Sequence, residues 1–396
     1  EIKMHFDEIR AMEKKYVMQT YGRNEIALVS GKGSRLYDSE GKEYIDMTSG
    51  IGVNCLGYGN EALTEALSDQ VQKLMHCSNL FYSEPMACVA KELAESTGMS
   101  RVFFANSGAE ANEAMIKTAR KYSSDHYGND RYQILTLRQS FHGRTMTTLM
   151  ATGQDKFHQY FYPLPQGFDY VEAGNFEDFK AHVNDHVCAV IMEMIQGEGG
   201  VVPLDKNFVQ QVTAFCKDHD ILVCVDEVQT GIGRTGSLFC YEQYDIEPDI
   251  VSAAKGLGGG VPIGAILCSA KCADTLQAGQ HGSTFGGNLL ACRSAQTVLS
   301  IVNQPSFLDE VSKKGEYLKQ QLLEIGSDAV HDVRGMGLML GIGVDPDKRS
   351  GYVKALQEKG VLVLTAGTDT IRLLPPLIIS KEEIDKAVAC MKEVLK

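Results

Sequence analysis

Asp226 closes the apolar run Ile221-Leu222-Val223-Cys224-Val225, and Lys255 follows a second one, Ile250-Val251-Ser252-Ala253-Ala254. Short runs bounded in this way predict strands buried on both faces, as the parallel strands of α/β proteins are. A carboxylate at the carboxyl end of such a strand stands where open α/β sheets bind ligands. An acid and an amine delivered to one sheet edge suit pyridoxal phosphate: the acid keeps the ring nitrogen protonated, and the amine bonds the aldehyde. Asp226 and Lys255 are therefore the expected catalytic pair of an enzyme.

Two further stretches reach the same edge. Asn106-Ser107-Gly108-Ala109-Glu110 follows a predicted strand at Val102–Phe104 and opens a helix, with Ser107 and Glu110 spaced as a capping box. Ala111, Ala114, Met115, Thr118, Ala119 and Tyr122 continue one helical face. Small residues at the helix start let backbone amides approach a phosphate at the positive end of the dipole; an ordinary capped helix is the alternative. Ser140-Phe141-His142-Gly143-Arg144-Thr145 follows a predicted strand at Ile134–Leu137. Phe141 is placed either to stack on a cofactor ring or to pack in the core. Arg144 is placed either to hold a carboxylate bidentately or to form a surface ion pair.

Other pattern matches fail on context. Gly231-Ile232-Gly233-Arg234-Thr235-Gly236 fits G-x-G-x-x-G, but a dinucleotide site needs a helix next and an acid after the following strand. Here the chain runs on through Ser237-Leu238-Phe239, and the following strand delivers Lys255. Ser252-Ala253-Ala254-Lys255 matches S-x-x-K without its Lys-Thr-Gly partner. His182 and His186 have helix-face metal spacing but lack the glutamate of a zinc protease.

The elements that must position these residues form a pattern. From Ala87 to Leu267 apolar runs alternate with helix-like segments, which predicts a doubly wound α/β sheet. Its remaining strands fall at Val187–Met192 and Ile263–Leu267. Before it, residues 33–38 and 44–46 read as an antiparallel pair around a Ser39-Glu40-Gly41 turn. After it come a helix near Phe307–Ile325, strands at Val333–Val344 and Val361–Leu364, and a closing helix from Lys381. The expected division is a large domain over 57–288 and a smaller discontinuous α+β domain built from 1–56 and 289–396.

The chain has 396 residues and a net charge of -13, with 44% hydrophobic and 22% charged residues. That balance is ordinary for a globular protein and lacks the basic footprint of a nucleic-acid or anionic-membrane binder. No run is apolar enough to cross a bilayer, and the start, Glu1-Ile2-Lys3-Met4-His5, carries no signal-like apolar segment, so a cytoplasmic protein is expected. The 11 cysteines form no Cys-x-x-Cys pair and read as buried reduced thiols.

With these residues in hand, the chain resembles the class III pyridoxal-phosphate-dependent aminotransferases, most closely the acetylornithine aminotransferases among them. The likeness runs almost end to end. It takes in Asn106–Glu113, Ser140–Thr145, Gln196–Gly200, Val225–Arg234, Ala254–Gly256, His281–Asn288 and Ile371–Pro376. The resemblance implies a fold-type I homodimer with the cofactor near the subunit interface. By similarity Ser107, Gly108 and Ala109 bind the phosphate, Phe141 stacks on the ring and Asp226 pairs with the ring nitrogen. Gln229 lies near the ring hydroxyl, Lys255 bonds the aldehyde, and Glu227 and Val228 belong to the same cofactor loop. Thr284 would reach the phosphate of the neighbouring subunit's cofactor, and Ser283 would lie near the substrate. Taken alone, Gly282-Ser283-Thr284 reads equally as a turn.

For the substrate, the resemblance implies that Arg372 holds the α-carboxylate of glutamate, that Glu198 neutralises Arg372 when an ω-amine is bound, and that Arg144 takes the distal carboxylate. A loop acid and a structural ion pair are the plainer readings of Glu198 and Arg372. Related ornithine δ-aminotransferases carry a tyrosine near Gly50, whereas this chain has Ser49-Gly50-Ile51-Gly52. The missing bulk favours an acylated donor, so the expected reaction is transfer of the ω-amine of N-acetylornithine to 2-oxoglutarate in arginine biosynthesis. Succinylated ornithine or diaminopimelate, ornithine and 4-aminobutyrate are the neighbouring options. A nicotinamide-dependent oxidoreductase and a catalytically idle binding protein are the alternatives of another class.

Overall fold

The computed structural model describes residues 4–396. A seven-stranded sheet runs through its centre in the order Arg101–Ala105, Gly264–Cys268, Ile250–Ala253, Leu222–Asp226, Val187–Met192, Gln133–Leu137, Phe168–Val171. Gly264–Cys268 is antiparallel to both its neighbours. Every other pairing is parallel.

Side-chain alternation explains why these strands read as unbroken apolar runs. Cys224 joins one hydrophobic cluster with Ala111, Ala114, Met115 and Ala119 of the helix Gly108–Tyr127. Its neighbours Val223 and Val225 join the opposite cluster with Phe208, Val212 and Cys216 of the helix Lys206–Asp218. Both faces of the strand are covered, so both phases of the period-two pattern must be apolar. The result is a helix–sheet–helix layering. Six of the seven strands lie where the sequence places them. Phe168–Val171 is the exception: it is an edge strand with only Val171 fully buried, so Asp169 and Tyr170 break the apolar run.

The two ends of the chain pack together. Leu28–Lys32, Arg35–Asp38 and Glu43–Asp46 form a four-stranded sheet completed by Val361–Leu362, which pairs in parallel with Glu43–Asp46. A second four-stranded sheet holds Asp332–Met336, Met339–Gly343, Thr370–Leu373 and Leu364–Ala366 in that order. Thr370–Leu373 is entirely buried and carries Arg372. No described helix is long and apolar enough to cross a membrane.

Candidate active site

A cavity of about 420 Å³ opens at the carboxyl edge of the central sheet. Asp226 ends its strand at the base of this cleft and is 4% exposed. Its Oδ2 accepts a hydrogen bond from Asn112 Nδ2 at 2.7 Å and lies 2.8 Å from His142 Nδ1. Its Oδ1 accepts from the Val228 amide at 3.0 Å. These donors hold the carboxylate in one orientation. Asn112 and His142 were not expected among the site residues. The signal for Asn112 was present, since it is a polar residue on a helix face that is otherwise small and apolar.

Lys255 opens a short 3-10 turn after the strand Ile250–Ala253 and takes a φ of 43°. A left-handed backbone is uncommon for a residue with a side chain and clusters at functional sites. Burial, and next the like charge of Arg372, pull the Lys255 ammonium down from 10.5 to about 8, against the opposing pull of Glu198, Asp226 and Glu193.

Arg372 is 3% exposed and Glu198 31% by side chain, and the two meet at 2.7 Å. Arg372 Nη1 also donates to Gln229 Oε1 at 3.1 Å. Burial would raise the Glu198 carboxyl, but the Arg372 charge and hydrogen bond carry it below its ordinary value. Glu198 sits between Gly197 and Gly199 in a turn, whereas Arg372 lies on a buried strand. Arg144 is exposed and lies over aromatic rings, 4.3 Å from the Phe157 centroid and 5.4 Å from that of Phe141.

The helix Gly108–Tyr127 begins at the cleft. Ser107 Oγ accepts from the Glu110 amide at 3.2 Å, as the expected capping box requires. The reciprocal arm differs: Glu110 Oε2 takes the amide of Asn106 at 2.7 Å instead of that of Ser107. The amides of Gly108 and Ala109, in the first turn, have no intrahelical partner. A Cβ on Gly108 would stand 2.6 Å from Val228 Cγ1, so only glycine allows that loop and the helix start to meet.

Three expected residues do not line this chain's own cleft, and for Thr284, expected at the neighbouring subunit's cofactor, that is no departure. Glu227 turns its carboxylate away from the cleft to the Thr230 hydroxyl and the amides of Cys240 and Tyr241. Burial pushes it up to about 7. Its place beside Asp226 in the sequence therefore does not bring its side chain to the cofactor loop's inner face. Ser283 and Thr284 lie outside the cleft of their own chain. Ser283 Oγ accepts from Asn106 Nδ2 at 3.0 Å and from the Gly286 amide at 2.9 Å, and Thr284 is exposed. Conversely, Glu193, which follows the apolar run Val187–Met192, lines the cleft and was not among the expected site residues.

The glycine-rich run 231–236 leads into the short 3-10 helix Cys240–Tyr244 and not into an α-helix. Its Arg234 is buried and donates to the carbonyls of Leu338 and Pro375. It is a clamp between the central sheet and the carboxyl-terminal segment.

The residues present fit pyridoxal phosphate. A buried carboxylate, an amine with a lowered pKa and helix-start amides without an intrahelical partner all line one cleft. The family model for class-III aminotransferases matches residues 16–395. The acetylornithine aminotransferase of Haemophilus ducreyi is 48% identical over 394 residues, covering 99% of each chain. The succinylornithine transaminase of Yersinia pseudotuberculosis is 43% identical and covers 94% of this chain and 93% of its own. An ornithine aminotransferase of Toxoplasma gondii, solved with partial occupancy of pyridoxal phosphate at its active site, superposes with a TM-score of 0.95 at 30% identity, covering 99% of this chain and 94% of that one. By the family model, and by identity along nearly its whole length, this chain belongs to the class-III aminotransferases.

Proposed function

We propose that this aminotransferase moves the ω-amino group of N-acetylornithine to 2-oxoglutarate, yielding N-acetylglutamate semialdehyde and glutamate, as a step of arginine biosynthesis. The observation that carries this reading is the Glu198–Arg372 pair at 2.7 Å, whose Glu198 lines the cleft with Lys255. Glutamate places a carboxylate next to its reacting amine, and an ω-amine donor does not. One cleft can serve both only if its cation is neutralised for one substrate and released for the other. An unpaired buried guanidinium costs on the order of several kcal/mol, so Glu198 stays on Arg372 until a substrate carboxylate replaces it.

Bound in the cleft, pyridoxal phosphate supplies an aldehyde that takes up an amino group and a ring that delocalises the electrons left when the donor carbon loses a proton. The protein supplies the rest. Lys255 Nζ would bond the aldehyde at rest and, when free, would carry the proton from the donor carbon. Asp226 would keep a proton on the ring nitrogen. Phe141 would stack on the ring, with Gln229 toward the ring hydroxyl. The Ser107 hydroxyl and the Gly108 and Ala109 amides would hold the phosphate. Arg144, exposed at the mouth, takes the distal carboxylate common to both substrates.

Two outcomes test this division of labour. Glu198→Ala is expected to lower kcat/KM for N-acetylornithine about tenfold to hundredfold, while the glutamate half-reaction stays within about threefold. Equal loss in both half-reactions would contradict the gating role. Capture of the cofactor by apo protein is expected to speed up with pH and level off above a midpoint near 8, the value to which Lys255 is lowered, because only the neutral amine attacks. A midpoint near 10 would contradict it.

The absence of a tyrosine from Ser49-Gly50-Ile51-Gly52 supports an acylated donor; the chain there is a left-handed turn, with φ of 63° at Gly50 and 67° at Ile51. Comparison of kcat/KM for N-acetylornithine, N-succinylornithine, ornithine and 4-aminobutyrate decides the donor. The succinylated donor is the second reading, favoured by the likeness to a succinylornithine transaminase.

The proposed working form is a homodimer. Leu80, Phe81, Tyr82 and Phe285 are exposed, and Asn79 binds their two segments together through the carbonyls of Ser283 and Gly286. An apolar face beside Thr284 suits a subunit interface, where Ser283 and Thr284 would reach the partner's site. The eleven free cysteines favour a reducing, cytoplasmic setting.

A further inference from the structure

Glu193 is buried in the cleft and has no part in the chemistry assigned above. The strands Val187–Met192 and Leu222–Asp226 pair in parallel with Met192 opposite Val225. The next residues, Glu193 and Asp226, therefore leave neighbouring strand ends side by side. They are 6% and 4% exposed. Two carboxyl groups placed together away from water do not both ionise.

The surrounding donors are shared unequally. Asp226 has Asn112, His142 and the Val228 amide. Glu193 Oε1 accepts from the Phe141 amide at 2.8 Å, and the Gly197 amide also faces its carboxyl. Burial first, and then the charge of Asp226, push the Glu193 carboxyl well above the usual carboxylate range, with Glu198 adding a like charge. Lys255 is the cation that faces it.

The identity of those two amides matters. Phe141 opens the loop that carries Arg144, and Gly197 precedes Glu198. Glu193 thus sits where the ring-face loop and the gate turn come together, on neighbouring strands of the sheet.

We propose that Glu193 is a positioning residue, a neutral carboxylic acid that holds the Phe141 amide beside the Gly197 turn and so sets the ring-face loop against the Glu198 turn at the cleft. This deepens the functional reading above and rests on it.

Glu193→Gln and Glu193→Ala test it, titrated as apo protein with pyridoxal phosphate and then assayed for the acceptor KM with 2-oxoglutarate as the varied substrate. Glu193→Gln is neutral, has the same shape and keeps an acceptor oxygen, so it is expected to stay within about threefold of wild type in both measurements. Glu193→Ala leaves the Phe141 amide without its acceptor, so cofactor affinity is expected to fall about tenfold to hundredfold, with the acceptor KM rising more than kcat falls. If the alanine protein does not fold, Glu193→Asp, one methylene short of that amide, carries the same expectation. A folded alanine or aspartate variant with wild-type cofactor affinity and acceptor KM would overturn the proposal. So would a glutamine variant as impaired as the alanine one, because the anion would then be needed. Wild-type protein that binds no pyridoxal phosphate would sink the functional reading instead.

Discussion

Lys255→Ala is expected to lower kcat for amino transfer by about four orders of magnitude, since both the covalent bond to the cofactor and the proton carrier go with one amine. Among the described residues no other lysine lines the cleft. Misfolding would not explain the loss, because the wild-type lysine is held at a cost. Its pKa falls from 10.5 to about 8 in the folded chain, so between those values the unfolded chain binds a proton that the folded state has released. Stability of cofactor-free wild type therefore rises as pH climbs from 8 to 10.5, and below 8 the penalty is present in full. The alanine variant lacks that penalty. Its cofactor-free melting temperature is expected to match or exceed wild type at pH 7, with the advantage shrinking above pH 8. A variant with a tenth of wild-type turnover would contradict the role of Lys255.

Asp226→Asn is expected to cost about a hundredfold to ten-thousandfold in kcat. The amide is neutral and cannot hold a proton on the ring nitrogen. It also disturbs its own support. Asn112 Nδ2 donates to the carboxylate now, and an amide nitrogen placed there would leave donor facing donor. Asp226→Glu keeps the charge but lengthens the arm into a pocket closed by His142, so an intermediate loss is expected. Half-reaction rates with glutamate, measured at saturating cofactor, separate this chemical loss from weakened binding. Unchanged rates in the asparagine variant would mean that another group protonates the ring.

That Asp226 and Lys255 reach one cleft was legible because one rule covers both: an apolar run names a buried strand, and the polar residue that follows the run lands at the ligand edge. The same rule applies to Glu193, which ends Val187–Met192, and it was there to be used. Glu227 shows the limit of that rule. Adjacent in sequence to Asp226, it faces Cys240 and Tyr241 because the chain turns at the strand end. The Glu198–Arg372 pair could not be read from spacing at all. Its members lie 174 positions apart, and the short strand Thr370–Leu373 gave no clear pattern of its own, so only family likeness pointed to it. The split of Asn112 and His142 around one carboxylate is likewise a tertiary fact, set by helix–sheet packing that no local period reports.

The most direct test is borohydride reduction of the cofactor-loaded protein followed by peptide mapping. A single modified peptide is expected, carrying the reduced cofactor on Lys255 Nζ. Loaded protein in which the label falls on another lysine, or in which Lys255 stays unmodified, would contradict the assignment of this cleft.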